Sequence, residues 1–210
     1  MDHPDRGVEL LERALVYTRA ALLYVRPVHL FRPTPCADWD LDRLLDHMHD
    51  ALVAFEEGAA GEVAPEPPPH ALDVRVATLQ AKACDLLGAW SGARTTLVRV
   101  GGMPVPTSVV VRAAALEITV HGWDVAQATG HRSPLPPDLA LMLHPVAAAL
   151  VDDADRGHRF AFPRHPGSDP APAERLLAFL GRDPAAGVPD LTGPLRHSYA
   201  VRRTRDLDAS

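Results

Sequence analysis

Cysteine is scarce in this chain. Cys36 and Cys84 are the only two in 210 residues, far apart and in no C-x-x-C arrangement. That excludes a zinc ribbon, a redox dithiol and a disulfide scaffold, and leaves two free thiols of a reducing compartment as the expectation. Lysine is scarcer still: Lys82 stands alone, and the net charge is −6. A chain with that balance has no basic footprint for nucleic acid. Aromatic residues make up 5% of the chain, too few for stacking platforms along a bound strand. No apolar run approaches the roughly 20 residues that span a bilayer. The N-terminus, MDHPDRGVELLERAL, is acidic and amphipathic where a signal peptide is basic and then apolar. The expectation is a cytoplasmic monomer or homodimer acting on a small molecule, with neither nucleic acid nor membrane as partner.

What is present is an ordinary globular composition, 47% hydrophobic and 23% charged. Its size is sufficient for one core without covalent staples. Residues 6–25 carry Val8, Leu11, Leu15, Leu22 and Val25 at helical spacing, with Pro27 beyond the end. A second helix starts from a cap at Asp38 or Asp40 and runs to about 57, with Leu41, Leu44, Leu45, Met48, Leu52 and Phe55 on one stripe. A Pro-rich connection at 61–69 precedes a third helix at about 71–90. Leu97–Val100 and Val105 around Gly101-Gly102 predict a short β excursion near 95–105. Thr107 or Ser108 then caps a fourth helix that ends at Gly130. A fifth helix at 138–152 contains Pro145, which predicts a kink or break. A short strand at Phe160-Ala-Phe and a last helix at 173–180 follow. Long amphipathic helices with short accessories predict an all-α fold, an up-down four-helix bundle. The bundle is expected over 1–184, with an irregular tail over 185–210.

The chemistry concentrates in the fourth helix. Glu117 and His121 stand four residues apart in an otherwise apolar stretch, so in a helix both leave the same face. Two readings follow from the spacing: a divalent metal with a third ligand from elsewhere, or a hydrogen-bonded Glu–His pair within one helix. The second helix offers His47 and His49. Two residues apart, they point about 200° from each other, and the pattern selects His47, beside Met48 and Leu44, as the inward one. Two imidazoles and a carboxylate suit Zn²⁺, with Ni²⁺ or Fe²⁺ as alternatives, and three protein ligands leave a position open for catalysis. Asp124, three residues after His121, is a candidate to orient that ring from behind, or to cap or pair outward. Trp39 and Trp123 are core residues or pocket borders. Arg112 is a solvated arginine or an anion contact. Cys36 and Cys84 read as buried thiols.

Three blocks carry a resemblance: Trp39-Asp-Leu-Asp-Arg-Leu-Leu-Asp-His47; Glu117-x-x-x-His121-Gly-Trp-Asp124-Val-Ala-x-Ala-Thr-Gly130; and Arg175-Leu-Leu-Ala-Phe-Leu-Gly-Arg182-Asp-Pro. In order and context they resemble the mycothiol-dependent maleylpyruvate isomerase family, within the DinB/YfiT-like superfamily of metal-binding four-helix bundles. The resemblance spans about residues 8–184. It implies that His47, Glu117 and His121 bind a divalent metal, usually zinc, and that the metal binds or activates a low-molecular-weight thiol such as mycothiol. It also implies isomerisation of a small substrate or sulfur transfer to it. The full isomerase carries a C-terminal α/β domain, and too few residues follow Gly181 here to build one, so a short form is expected and activity on maleylpyruvate itself is not. Two other classes stay open. One is a thiol-independent metal enzyme working by Lewis-acid or water activation, with Asp124, His49 or Asp46 as base. The other is a non-catalytic metal- or ligand-binding module.

Overall fold

Helix α4 (Thr107–Thr129) is apolar or small on every side, and sixteen of its residues are buried. A helix of that composition has no face to offer water and becomes the axis on which others pack. The computed structural model describes residues 4–36, 39–60, 71–92, 95–100, 102–131, 133–157 and 159–184. Around α4 stand α1 (Pro4–Leu22), α2 (Leu41–Ala60) and α3 (Leu72–Gly92), closing a ring in the order α1, α4, α2, α3. Helices α5 (Pro137–Leu150) and α6 (Pro172–Phe179) pack outside it, α5 on α4 and α6 on α5. The all-α bundle expected from the periodicity is therefore present. The short β excursion is the antiparallel hairpin β1 (Leu97–Val100) and β2 (Met103–Pro106), with Val98 opposite Val105. Gly102, at φ 83°, takes the left-handed position that the tight turn needs.

Close approach of α1 to α4 depends on Gly122. A methyl group there would meet the Thr18 hydroxyl and lie 3.0 Å from the Thr18 Cα. The same hydroxyl donates to the Ile118 carbonyl at 2.7 Å, tying the two helices where they touch. On the other flank, α2 begins where Asp40 accepts the Arg43 backbone N–H at 3.0 Å, so Asp40 is a cap. Asp38 lies outside the described residues. Arg75 of α3 is 5% exposed and forks between Asp42 and Asp46, one turn apart on α2. That fork, with the arginine buried and both carboxylates partly exposed, ties α3 to α2.

Several local expectations give way. The first helix stops at Leu22, because the Tyr24 and Val25 N–H groups tighten onto the Ala21 and Leu22 carbonyls. No side chain caps α4: the residue before it is Pro106, and the Thr107 hydroxyl donates instead to the Thr95 carbonyl at 2.7 Å. Helix α5 runs through Pro145 unbroken. Both Pro145 and Leu141 are exposed, so the carbonyl that the proline leaves unpaired faces water. The strand at Phe160-Ala-Phe reduces to one bridge between Arg156 and Phe160. The Pro-rich connection at 61–69 and the tail at 185–210 lie outside the described residues.

Gly122→Ala is expected to lose about 1–3 kcal/mol of stability through overpacking, measured by chemical denaturation. Adding Thr18→Ala should recover part of that loss. An unchanged midpoint for the single variant would show that α1 and α4 do not need the missing methyl.

Candidate metal centre

The ring of helices brings three donor atoms together in its wall. His47 comes from α2, and Glu117 and His121 come from successive turns of α4. One donor atom from each of the three lies within 4.8 Å of the others. The Nε2 atoms of both imidazoles converge on one carboxylate oxygen: Glu117 Oε1 is 2.7 Å from His47 Nε2 and 3.0 Å from His121 Nε2. Two ring nitrogens and a carboxylate oxygen aimed at a common point are the donor set of a borderline-soft divalent cation such as Zn²⁺. The hydrogen-bonded Glu117–His121 pair is thus present, and His47 joins it across the helix interface, so the three side chains could hold a divalent cation.

The ring of His121 is held from behind. Its Nδ1 donates to Asp124 Oδ2 at 3.0 Å, which leaves Nε2 as the nitrogen that faces the centre and would offer a lone pair once its proton is lost to a bound cation. Asp124 has no exposed side-chain surface. Its charge is met by Arg182, whose Nη2 donates to Oδ2 at 2.9 Å and whose Nε donates to Oδ1 at 3.4 Å. Asp124 therefore faces inward and orients His121, the first of the alternatives its position allowed. Arg182 is the residue that local spacing missed. It lies 58 positions from Asp124, beyond any helical repeat, and the only trace of it was its place in the third family block.

The remaining candidates fall as follows. The Trp39 ring borders the site, 4.7 Å from the His47 ring and 6.3 Å from that of His121, whereas Trp123 is core. His49, expected toward solvent, is 1% exposed. Helix α2 is covered by α3 on one side and α4 on the other, so His49 is enclosed while His47, pointing the other way, is half-buried. Cys36 is half-buried, with Arg182, Asp124, Glu117 and Arg43 near enough to act on it; burial dominates, and its thiol is pushed up to about 11. Cys84 corrects the expectation of a buried thiol: it is exposed and accepts from Arg19 Nη1 at 3.3 Å. Arg112 is half-buried, away from the centre, along a groove with Arg6.

Burial opposes every charge in this cluster, and the charges answer one another. Glu117 is held well below the usual carboxylate range, because the imidazoles of His121 and His47 outweigh its desolvation. Asp124 is depressed against desolvation by Arg182 and His121. For His121, desolvation favours the neutral ring, but Glu117 and Asp124 push it up to about 9. In the metal-free protein His121 is therefore protonated at neutral pH, and that stabilisation is complete below about 6.5 and lost as pH rises through about 9. The depressed carboxylates contribute in the opposite sense, with stability lost as pH falls below the ordinary carboxylate range. Thermal denaturation of chelator-treated protein should accordingly show a melting temperature that falls between pH 6.5 and 9. The same measurement with added Zn²⁺ should show a smaller fall, since a ligating His121 is already neutral. A flat profile without metal would contradict this charge arrangement.

Comparisons with known proteins bear on the family and the fold. A family model described as the mycothiol maleylpyruvate isomerase N-terminal domain matches residues 11–126, a span that contains His47, Glu117, His121 and Asp124. Two proteins of Mycobacterium tuberculosis, from strains CDC 1551 / Oshkosh and H37Rv and both named only as uncharacterised, are each 32% identical to this chain over 173 residues. Each match covers 81% of this chain and 94% of the relative. The crystal structure of the mycothiol-dependent maleylpyruvate isomerase superposes with a TM-score of 0.55 at 16% identity, over 89% of this chain and 92% of that one, which shows a shared fold. With more than half its length matched by the family model, the chain belongs to the family of the mycothiol maleylpyruvate isomerase N-terminal domain.

Proposed function

We propose that this protein is a divalent-metal-dependent enzyme that acts with a low-molecular-weight thiol of the mycothiol type on a small organic substrate. The observation that carries the proposal is the clustering of His47, Glu117 and His121, whose donor atoms lie within 4.8 Å of one another, with Glu117 and His121 also lining a cavity. Those three residues would hold the metal, with zinc the best match to two imidazoles and a carboxylate. When bound, such an ion supplies Lewis acidity that favours the thiolate over the thiol, and the thiolate is the nucleophile. The chain's own residues do the rest. Asp124 fixes the His121 tautomer, Trp39 shields the histidines on one side, and Glu117 and His121 form the polar end of an otherwise apolar wall.

That wall bears on the substrate class. The cavity is narrow, about 20 Å³, and is lined by Leu15, Leu22, Met48, Leu52, Leu79 and Ile118 among others. Arg19 stands at it as well, exposed and donating to Cys84 Sγ. At that volume the cavity holds about one water, so a substrate would have to widen it against a wall that is mostly apolar. The alternative without thiol needs a base beside the metal, and its three candidates are either paired with other groups or enclosed. Asp124 is taken by His121 and Arg182, Asp46 by Arg75, and His49 is enclosed. This favours the thiol-assisted reading. Isomerisation would return the thiol unchanged, whereas transfer would leave it in the product, so the mass of the product distinguishes the two. Among the described residues no helix is long and apolar enough to cross a membrane.

Protein purified without chelators should contain close to one metal per chain by elemental analysis, and His47→Ala and Glu117→Gln should lose most of it. Mycothiol binding, followed by calorimetry, should require the metal and weaken at least tenfold on its removal. A wild type that neither carries metal nor takes up added Zn²⁺ would remove the metal from the reading. Equal thiol affinity with and without metal would remove the thiol.

A further inference from the structure

The contact chain behind His121 does not end within the bundle. Arg182 follows α6, after a turn in which Gly181 adopts φ 79°. A side chain at Gly181 would lie 2.6 Å from Ala161 Cβ and 2.9 Å from the Ala161 carbonyl oxygen, so the turn admits only glycine. The Gly181 N–H donates to Ala178 O at 3.0 Å and the Arg182 N–H to Leu177 O at 2.9 Å, closing the helix end in the manner of a C-terminal cap. Arg182 Nη1 bonds the Leu180 carbonyl at 3.1 Å. With its backbone and one arm so fixed, the rest of the guanidinium has a single direction, and it meets both oxygens of Asp124.

We infer that Arg182 is a positioning residue of the metal centre, acting through Asp124 on the ring of His121 and so coupling the docking of the α6 segment to metal binding. The physical grounds are steric and electrostatic. Asp124 has two oxygens in the interior and one neighbour, His121, to orient. Without Arg182 the carboxylate is free to rotate toward whatever donor offers itself, and His121 loses the fixed acceptor that sets which nitrogen faces Glu117. With Arg182 present, the carboxylate is clamped in a fork geometry that lysine reproduces only in part. Coupling is reciprocal: if the α6 turn improves the centre's geometry for metal, bound metal must hold the α6 turn in place.

The inference rests on the metal reading, and the experiment separates the two. Zn²⁺ affinity is measured by competition with a chromophoric chelator for wild type, Arg182→Met, Arg182→Lys, Asp124→Asn and the double variant Arg182→Met/Asp124→Asn. Arg182→Met should bind Zn²⁺ about 10–100-fold more weakly, Arg182→Lys should recover part of that, and the double variant should be little worse than the worse single. An Arg182→Met affinity within twofold of wild type overturns the inference, as does a double variant whose loss is the product of the two single losses. Wild type that binds no Zn²⁺ overturns the metal reading and this inference with it; wild type that binds while Arg182→Met is unaffected overturns the inference alone. Amide hydrogen exchange on the unaltered chain covers the case in which a variant fails to fold. Added Zn²⁺ should slow exchange at Leu180, Gly181 and Arg182 as well as on α4, and slowing confined to α2 and α4 would again overturn the inference.

Discussion

A carboxylate with no exposed side-chain surface is destabilising by several kcal/mol unless other charges and donors surround it. Asp124 is such a group, and much of the molecule's order follows from how it is satisfied. It sits on α4, the axis of the bundle, and draws on His121 one turn back and on Arg182 from beyond α6. The first contact aims a ring nitrogen at Glu117 and His47. The second brings the last described turn of the chain over the bundle. One buried charge thus specifies the orientation of a ligand and the seat of a distant segment. Leu176, Leu177 and Leu180 bury the apolar side of that same segment, so burial and ion pairing act at one place.

The bundle around it is arranged to let polar groups into its wall. Small residues at Ala114, Ala115, Gly122 and Ala126 bring neighbouring backbones close to α4. On another side of α4, His47 of α2 reaches the Glu117 carboxylate. On the far side of α2, Arg75 between Asp42 and Asp46 holds α3 in register. The half-buried state of His47 and Glu117 contrasts with the full enclosure of Asp124. The inner partner is locked, and the two outer candidate ligands are partly open to solvent.

How much of this was legible in the sequence depends on the range of each signal. Helical periodicity is local and strong, and it placed the long helices to within a few residues. The i,i+4 spacing of Glu117 and His121 is local too. His47 required only the stripe of α2 to select it, and Asp124 only its three-residue distance from His121. His49 was misjudged because a helix pattern shows two faces, whereas α2 has neighbours on both sides. Pro145 predicts a kink or break, and the helix is not broken there, because its freed carbonyl faces water, which the sequence does not show. Arg182 left no periodic trace, since its partner is a distant residue met only after folding. Arg75 was missed for the same reason: an arginine reads as surface until two aspartates from another helix surround it.

Cys36 gives the last consequence. Its sulfur lies within electrostatic reach of the centre, yet burial keeps the proton on it well above neutral pH. A protonated sulfur is a poor nucleophile and a poor competitor for a cation. The chain therefore carries a thiol next to the place where sulfur chemistry would occur and keeps that thiol silent. Under the proposed thiol-assisted reaction, the nucleophile would come from a diffusible partner and not from the chain's own side chain.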